Sequence, residues 1–346
     1  MYSNKELLPT DTGDTAPENR LRDRFGRTLT YMRVSVTDRC NLKCSYCRPD
    51  GIFSALPHRE ILSYEELYRF IKIGVGMGLQ KIRITGGEPL IRRGIAGFMA
   101  ELSQMKGLRD LSITTNGIFL KHHLESLVSS GIKRINVSMD TLRRDRYRLI
   151  TGFDGFHEAW EGIKQAEDMG VHPLKINMVV IRGVNDDEVQ DMARLSIAHA
   201  YHIRFIEYMP IGLQKHSERE SSLSFSEMKN TIESIGKLMP VPSSEFDGPA
   251  RRYRFEDAKG EVGFISAMSD HFCRTCNRLR LTPSGYLKPC LLSDRKVDIK
   301  GPARNGATDQ EIEQVFLNAV NRKPMEHLTE TTQDDWVSDQ MSSIGG

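Results

Sequence analysis

What the chain lacks narrows it first. No stretch approaches eighteen apolar residues, so no segment reads as a membrane span. The opening MYSNKELLPTDTGDTAPENR lacks the apolar centre of a signal peptide, and residues 1–24 read as a flexible polar leader on a cytoplasmic protein. Net charge is also scarce: 48 Lys and Arg against 46 Asp and Glu leave +2. Any affinity for a polyanion therefore has to come from local clusters. Low-complexity tracts and short internal repeats are missing, and 39% hydrophobic with 27% charged residues exclude a disordered chain. Cysteine is absent outside two triplets, Cys40, Cys44, Cys47 and Cys273, Cys276, Cys290. With no export signal on a chain of 346 residues, a disulfide scaffold does not fit, whereas close triplets suit metal or cluster ligation.

Apolar, β-branched runs alternate with helical patterns. The predicted strands are 29–36, 81–86, 111–116, 132–140, 175–183 and 203–210. Between them, Ser63 and Glu66 form a capping box and Gly78 a stop, a second helix ends at Gly170, and Asn185 is read as the N-cap of a third. Six strand–helix units imply parallel strands with helical crossovers. Pointed chemistry gathers at the strand ends: the cysteines after the first, TGGEP after the second, TTNG after the third, VSMD and EYMP after the fourth and sixth. That is barrel behaviour, and six units fall short of eight. The expectation is an α/β fold, an incomplete (β/α)6 barrel of the TIM type over residues 25–215, with a C-terminal extension over 216–346. In the extension RRYRF, EVGFISAM, RLRLT and YLKPC suggest antiparallel pieces around the second triplet.

The first triplet is spaced C-x3-C-x2-C, one ligand short of a closed tetrahedral zinc site. A cubane cluster held by three thiolates keeps one iron open. With Tyr46 just before the last cysteine and the loop following the first strand, this segment resembles the radical S-adenosylmethionine superfamily. The resemblance implies that the amino and carboxylate groups of S-adenosylmethionine chelate the open iron of a 4Fe–4S cluster, and that reductive cleavage yields a 5′-deoxyadenosyl radical. It further implies that Gly87 in ITGGEPL, Ser138 in VSMD and Met209 in EYMP, with Tyr46, contact the cofactor. Alone, ITGGEPL is an ordinary strand and glycine turn, and Met209 an ordinary core residue.

The second triplet, C-x2-C-x13-C, read alone, fits a zinc-ribbon fragment closed by His271. NRLR follows Cys276 at once, and on a strand Arg278 and Arg280 share a face, as suits a phosphate chain or a base edge. Over about residues 25–330 the constellation resembles the GTP 3′,8-cyclase family of molybdenum cofactor biosynthesis. That resemblance implies a second 4Fe–4S cluster on Cys273, Cys276 and Cys290, whose open iron takes the guanine of GTP. It carries Arg33, Arg83, Thr114, Lys175, Arg278, Leu279 and Arg280 as substrate contacts. Arg33 and Arg83 are odd charges for buried parallel strands, as the pattern alone already shows. The radical would abstract the ribose 3′ hydrogen, carbon 3′ would attack carbon 8, and the product would be (8S)-3′,8-cyclo-7,8-dihydroguanosine 5′-triphosphate. The terminal Gly345–Gly346 would reach back to the active site. Implied partners are a flavodoxin- or ferredoxin-type electron donor and a downstream cyclic pyranopterin monophosphate synthase; a homodimer is compatible, and nucleic acid and membrane are not partners. Two rivals stand beside this: another radical S-adenosylmethionine enzyme with an auxiliary cluster, and a zinc-stabilised nucleic-acid binder using Arg251, Arg252, Arg278 and Arg280.

Overall fold

A computed structural model describes residues 20–48, 55–132, 134–209, 211, 221–244, 247–327 and 339–345. Most of the leader, the expected boundary near residue 215 and Gly346 lie outside the described residues. The strands are β1 (Tyr31–Ser35), β2 (Lys81–Thr85), β3 (Asp110–Thr115), β4 (Arg134–Ser138), β5 (Leu174–Val180), β6 (Tyr201–Glu207), β7 (Leu238–Pro240), β8 (Arg251–Phe255), β9 (Glu261–Ile265), β10 (Arg278–Leu281), β11 (Tyr286–Lys288) and β12 (Val297–Asp298). They form one open sheet in the order β12-β11-β10-β1-β2-β3-β4-β5-β6-β9-β8-β7.

The six expected strands are neighbours and parallel. The extension does more than hairpin with itself. β10 pairs parallel with β1 and β9 parallel with β6, so the parallel array runs through eight strands. The antiparallel pieces are confined to β10-β11-β12 and β7-β8-β9. The expected antiparallel pieces after residue 215 are there, and two of their strands, β10 and β9, also pair parallel with β1 and β6, because each completes an edge that a six-stranded barrel leaves bare.

Strand parity divides the molecule. Met32, Val34, Ile82, Ile84, Ile176, Met178, Ile203, Phe205, Leu279 and Leu281 point to one side and are fully buried in the core. The helices cover that side, as where the position of a Cβ on Gly74 of the helix Tyr64–Gly76 lies 3.5 Å from Phe316 of the helix Asp309–Asn321. The alternate residues, among them Arg33, Arg83, Asn177, Arg204 and Arg280, face a cavity. An ordinary barrel interior is packed with branched apolar side chains; this one is hollow, and arginines project into it.

Local start signals behave as read. Ser63 and Glu66 form a reciprocal capping box, as do Ser224 with Glu227 and Thr308 with Glu311. Gly78 and Gly170 have φ of +114° and +71°, left-handed stops that suit glycine. Asn185 stands at the N-cap position of the 3-10 turn Asp186–Glu188 ahead of the helix, but its side chain makes no capping bond. Fully buried, its amide donates to Asp140 O and Val179 O at 2.8 Å each, and its oxygen accepts from Ile181 N at 2.8 Å. It is a strut between the ends of β4 and β5, and the helix starts at Val189. No helix among the described residues is long and apolar enough to cross a membrane.

Candidate active site

The first cysteine loop is sewn to its neighbours by backbone. Gly87 N donates to Thr37 O and Glu88 N to Arg39 O, both at 2.8 Å. A Cβ on Gly87 would stand 2.3 Å from Arg39 O, and one on Gly86 2.7 Å from Thr37 O. The double glycine thus lets the β2 turn lie against the cysteine loop, and the Gly87 N–H is already committed there. Glu88, buried, accepts from Leu90 N, Thr115 Oγ1 and Asn116 N at 3.0, 2.7 and 2.7 Å, tying β2 to β3. Burial lifts its carboxyl to about 7.

The three thiols crowd one another. Burial, then Asp140, Cys47 and Cys40, push Cys44 well above its ordinary value; burial, then Cys40, push Cys47 to about 12. Three neighbouring half-buried thiols ionise together only around a shared positive body, so the donor set fits a cluster. Leu42 N at 3.4 Å and Asn116 Nδ2 at 3.9 Å approach the Cys40 sulfur as the donors an ionised thiolate would use. The Tyr46 hydroxyl donates to Asp140 Oδ2 at 2.8 Å, and Val179 N donates to Oδ1 at 2.9 Å. Burial raises the Asp140 carboxyl to about 6.

A cavity of about 270 Å³ lies above, and all six cysteines line it. Its wall has one charged rung: Arg33 is paired in register with Arg280 on one side and Arg83 on the other, so three arginines on adjacent strands face inward. Like charges side by side are unfavourable. Burial and Arg280 depress Arg33 well below its usual value. Burial alone would raise Tyr31, yet Arg83, Arg33 and Lys81 bring its phenol down to about 8. Thr114 Oγ1 and Asn177 Oδ1 are buried in the same wall with no hydrogen-bond partner. A cavity with this potential and these orphan polar atoms is built to receive a polyanion.

The second triplet sits across the cavity. Burial works against ionising Cys276, but Arg278 and Lys323 bring its thiol down to about 6. Cys273 is held by Arg27, whose guanidinium donates to Cys273 O at 2.7 Å. The histidine at its sulfur is His327, with Nδ1 3.2 Å away, and not His271, which packs edge-on against His327. Among the described residues no three His, Cys, Asp or Glu side chains converge on a single-ion position. The described C-terminal residues enter the same space: Ile344 packs with Ile211 beside Met209, and Arg280 Nη1 donates to Gly345 O at 2.5 Å.

Of the residues singled out in the sequence, Arg33, Tyr46, Arg83, Gly87, Thr114, Ser138, Met209, Arg278 and Arg280 line the cavity with the cysteines. Lys175 and Leu279 do not: Lys175 is buried one layer deeper on β5, and Leu279 is core, on the face of β10 opposite the arginines. Sequence reasoning missed Arg204, Asp140, Asn177 and His327. Arg204 carried the signal that flagged Arg33 and Arg83, a charge inside an apolar strand; burial and Arg83 lower it to about 9. The arginine patch of the nucleic-acid reading does not assemble. β8 and β10 lie toward opposite ends of the sheet, Arg251 pairs with Asp270, and Arg252 with Asp247 and Glu261.

An open parallel barrel with three cysteines after its first strand defines a protein of the radical S-adenosylmethionine class. Residues 34–196 match the family described as Radical SAM superfamily, and residues 201–329 the one described as Molybdenum Cofactor Synthesis C. Fold likeness extends to SuiB of Streptococcus suis bound to S-adenosylmethionine (TM-score 0.57, 14% identity, 86% of this chain and 66% of that one). It extends also to native anSMEcpe with bound AdoMet (TM-score 0.56, 14% identity, 86% and 82%). Curated relatives named GTP 3′,8-cyclase align over 94% of this chain and 100% of their own. Those of Thermodesulfovibrio yellowstonii, Pelotomaculum thermopropionicum and Moorella thermoacetica are 46%, 45% and 44% identical. The chain belongs to the GTP 3′,8-cyclase family.

Proposed function

We propose that this chain converts GTP to (8S)-3′,8-cyclo-7,8-dihydroguanosine 5′-triphosphate, the first step of molybdenum cofactor biosynthesis, using S-adenosylmethionine and two 4Fe–4S clusters. The observation that carries the reading is one cavity lined by two cysteine triplets and crossed by the rung Arg280–Arg33–Arg83. Bound at the first triplet, the cluster and S-adenosylmethionine supply a 5′-deoxyadenosyl radical for removal of the ribose 3′ hydrogen. The protein's task is placement. Tyr46, Gly87, Ser138 and Met209 would border the cofactor on the first triplet's side. Arg33, Arg83 and Arg280 would neutralise the triphosphate, with Lys175 adding charge from below and Thr114 donating its unused hydroxyl. Arg278 serves twice, holding Cys276 ionised and facing the substrate.

For the second triplet we favour a cluster over zinc, since its three thiols repeat the deficit of the first. Residues 25–215 would form the radical barrel and 216–346 the extension carrying the second cluster. An external electron donor, a downstream cyclic pyranopterin monophosphate synthase and a cytoplasmic location complete the reading; cluster thiols require a reducing compartment. Anaerobic incubation with GTP, S-adenosylmethionine and reductant tests it, with 5′-deoxyadenosine and the cyclised nucleotide expected together. Iron should reach about eight per chain if both sites hold cubanes. 5′-Deoxyadenosine without a cyclised guanosine product would overturn the substrate, and colourless zinc protein the class of reaction.

A further inference from the structure

The electron needed at the first triplet has to arrive from outside the cavity, because cofactor and substrate fill the inner side. The cysteine loop reaches the surface at Lys43 and Ser45, the exposed neighbours of Cys44. Lys43 N donates to Thr151 O at 2.8 Å and Ser45 N to Ile150 O at 2.9 Å. These two bonds join the loop to the last turn of the helix Arg144–Thr151. That turn carries Leu149, 76% exposed, and beyond the left-handed Gly152 comes Phe153, 47% exposed. A Cβ on Gly152 would lie 3.4 Å from Lys43 Cβ, so helix end and loop form one continuous surface.

Leu149 and Phe153, four residues apart across the helix end, are both exposed, beside Lys43 and Arg148, whose charge among the described residues reaches only Asp154. Lys43 and Arg148, both exposed, make no ion pair among the described residues. The nearby Asp154 is held by Arg144 at 2.7 Å, which leaves the rim positive. We infer that Leu149 and Phe153, rimmed by Lys43 and Arg148, form the docking surface for a small acidic one-electron carrier protein, a deduction that rests on the proposed radical function. Redox encounters are small, with an apolar centre and a complementary charged rim that sets the encounter rate. The geometry suits transfer, since Ser45, bonded to the helix end, is the covalent neighbour of Cys44. Each encounter oxidises the carrier by one electron and reduces the cluster at the first triplet by one.

The test uses the reconstituted holoenzyme under anaerobic conditions and compares two reductants, reduced flavodoxin and dithionite, reading initial 5′-deoxyadenosine formation. Leu149→Glu and Arg148→Glu should each slow the flavodoxin-driven rate about tenfold at sub-saturating donor, by raising the apparent KM for flavodoxin. Dithionite-driven rates should stay within about twofold of the parent, and Met239→Glu on the edge strand β7 should change neither arm. Added salt should slow the flavodoxin arm of the parent and have less effect on Arg148→Glu. Phe153→Glu carries the same test from an independent position should Leu149→Glu fail to fold. Equal loss in both arms, or full flavodoxin activity in the variants, overturns the docking surface. A parent enzyme that makes no 5′-deoxyadenosine with dithionite overturns instead the radical function beneath it.

Discussion

Binding of GTP should draw a proton into the protein, and Lys175 is the group that takes it. Buried on β5 with no hydrogen bond or ion pair among the described residues, its amine is depressed from 10.5 to about 5 by burial, then by Arg204, Arg134 and Arg83. Between pH 5 and 10.5 the folded chain therefore holds less proton here than the unfolded chain. The stability tied to this residue is full above the unfolded value and is lost as pH falls towards about 5. A triphosphate against the arginine rung reverses the local field. Lys175 lies two residues before Asn177 on the same face, hence about 6.6 Å below it. Each phosphate charge at that distance contributes about 2.5 kcal/mol at an effective dielectric of about 20. Two such charges, about 5 kcal/mol together, raise the amine well back towards its ordinary value. At pH 8, where phosphate is already fully ionised, most of a proton should be taken up per GTP bound. Calorimetry in buffers of differing ionisation enthalpy reads that number directly. Lys175→Met should abolish the uptake while leaving the fold intact. Uptake below about 0.3 proton, or the same uptake in Lys175→Met, would refute the assignment of a neutral Lys175 beneath the substrate.

Four further outcomes follow from the geometry. Arg204→Met removes a cavity-facing charge whose depression from 12.5 to about 9 caps the relief near 5 kcal/mol; with water in the cavity about 2 is expected, a melting temperature several degrees higher, and GTP affinity at least about tenfold weaker. Thermal scans with and without GTP check both signs, and a destabilised variant would count against the charge argument. Asp140→Ala strands the Tyr46 hydroxyl and Val179 N–H, a loss of about 2–5 kcal/mol in denaturant unfolding. Gly87→Ala drives a Cβ into Arg39 O, and iron analysis should show the first cluster depleted while the second remains. Gly345→Ala puts a Cβ 2.8 Å from Thr85 Cγ2 at a φ of +74°, so turnover should fall at unchanged melting temperature.

Chemistry and local structure were legible in the residues alone. Two cysteine triplets one ligand short, arginines inside apolar strands, capping boxes and left-handed glycine stops all act over a few neighbouring residues, where sequence spacing and spatial spacing agree. Asn185 shows where that ends: an Asn before a helix has a cap's composition, and only the approach of β4 and β5 makes it a strut. The same holds for Gly87, whose bare Cα answers to a carbonyl 48 residues earlier in the chain. Tertiary structure also decided that β9 and β10 extend the parallel array, that His327 rather than His271 meets Cys273, and that Arg280, Arg33 and Arg83 share one rung. Those are matters of long-range register. Register is set by which apolar faces the sheet can bury together, a property of the assembled strands that no single segment encodes.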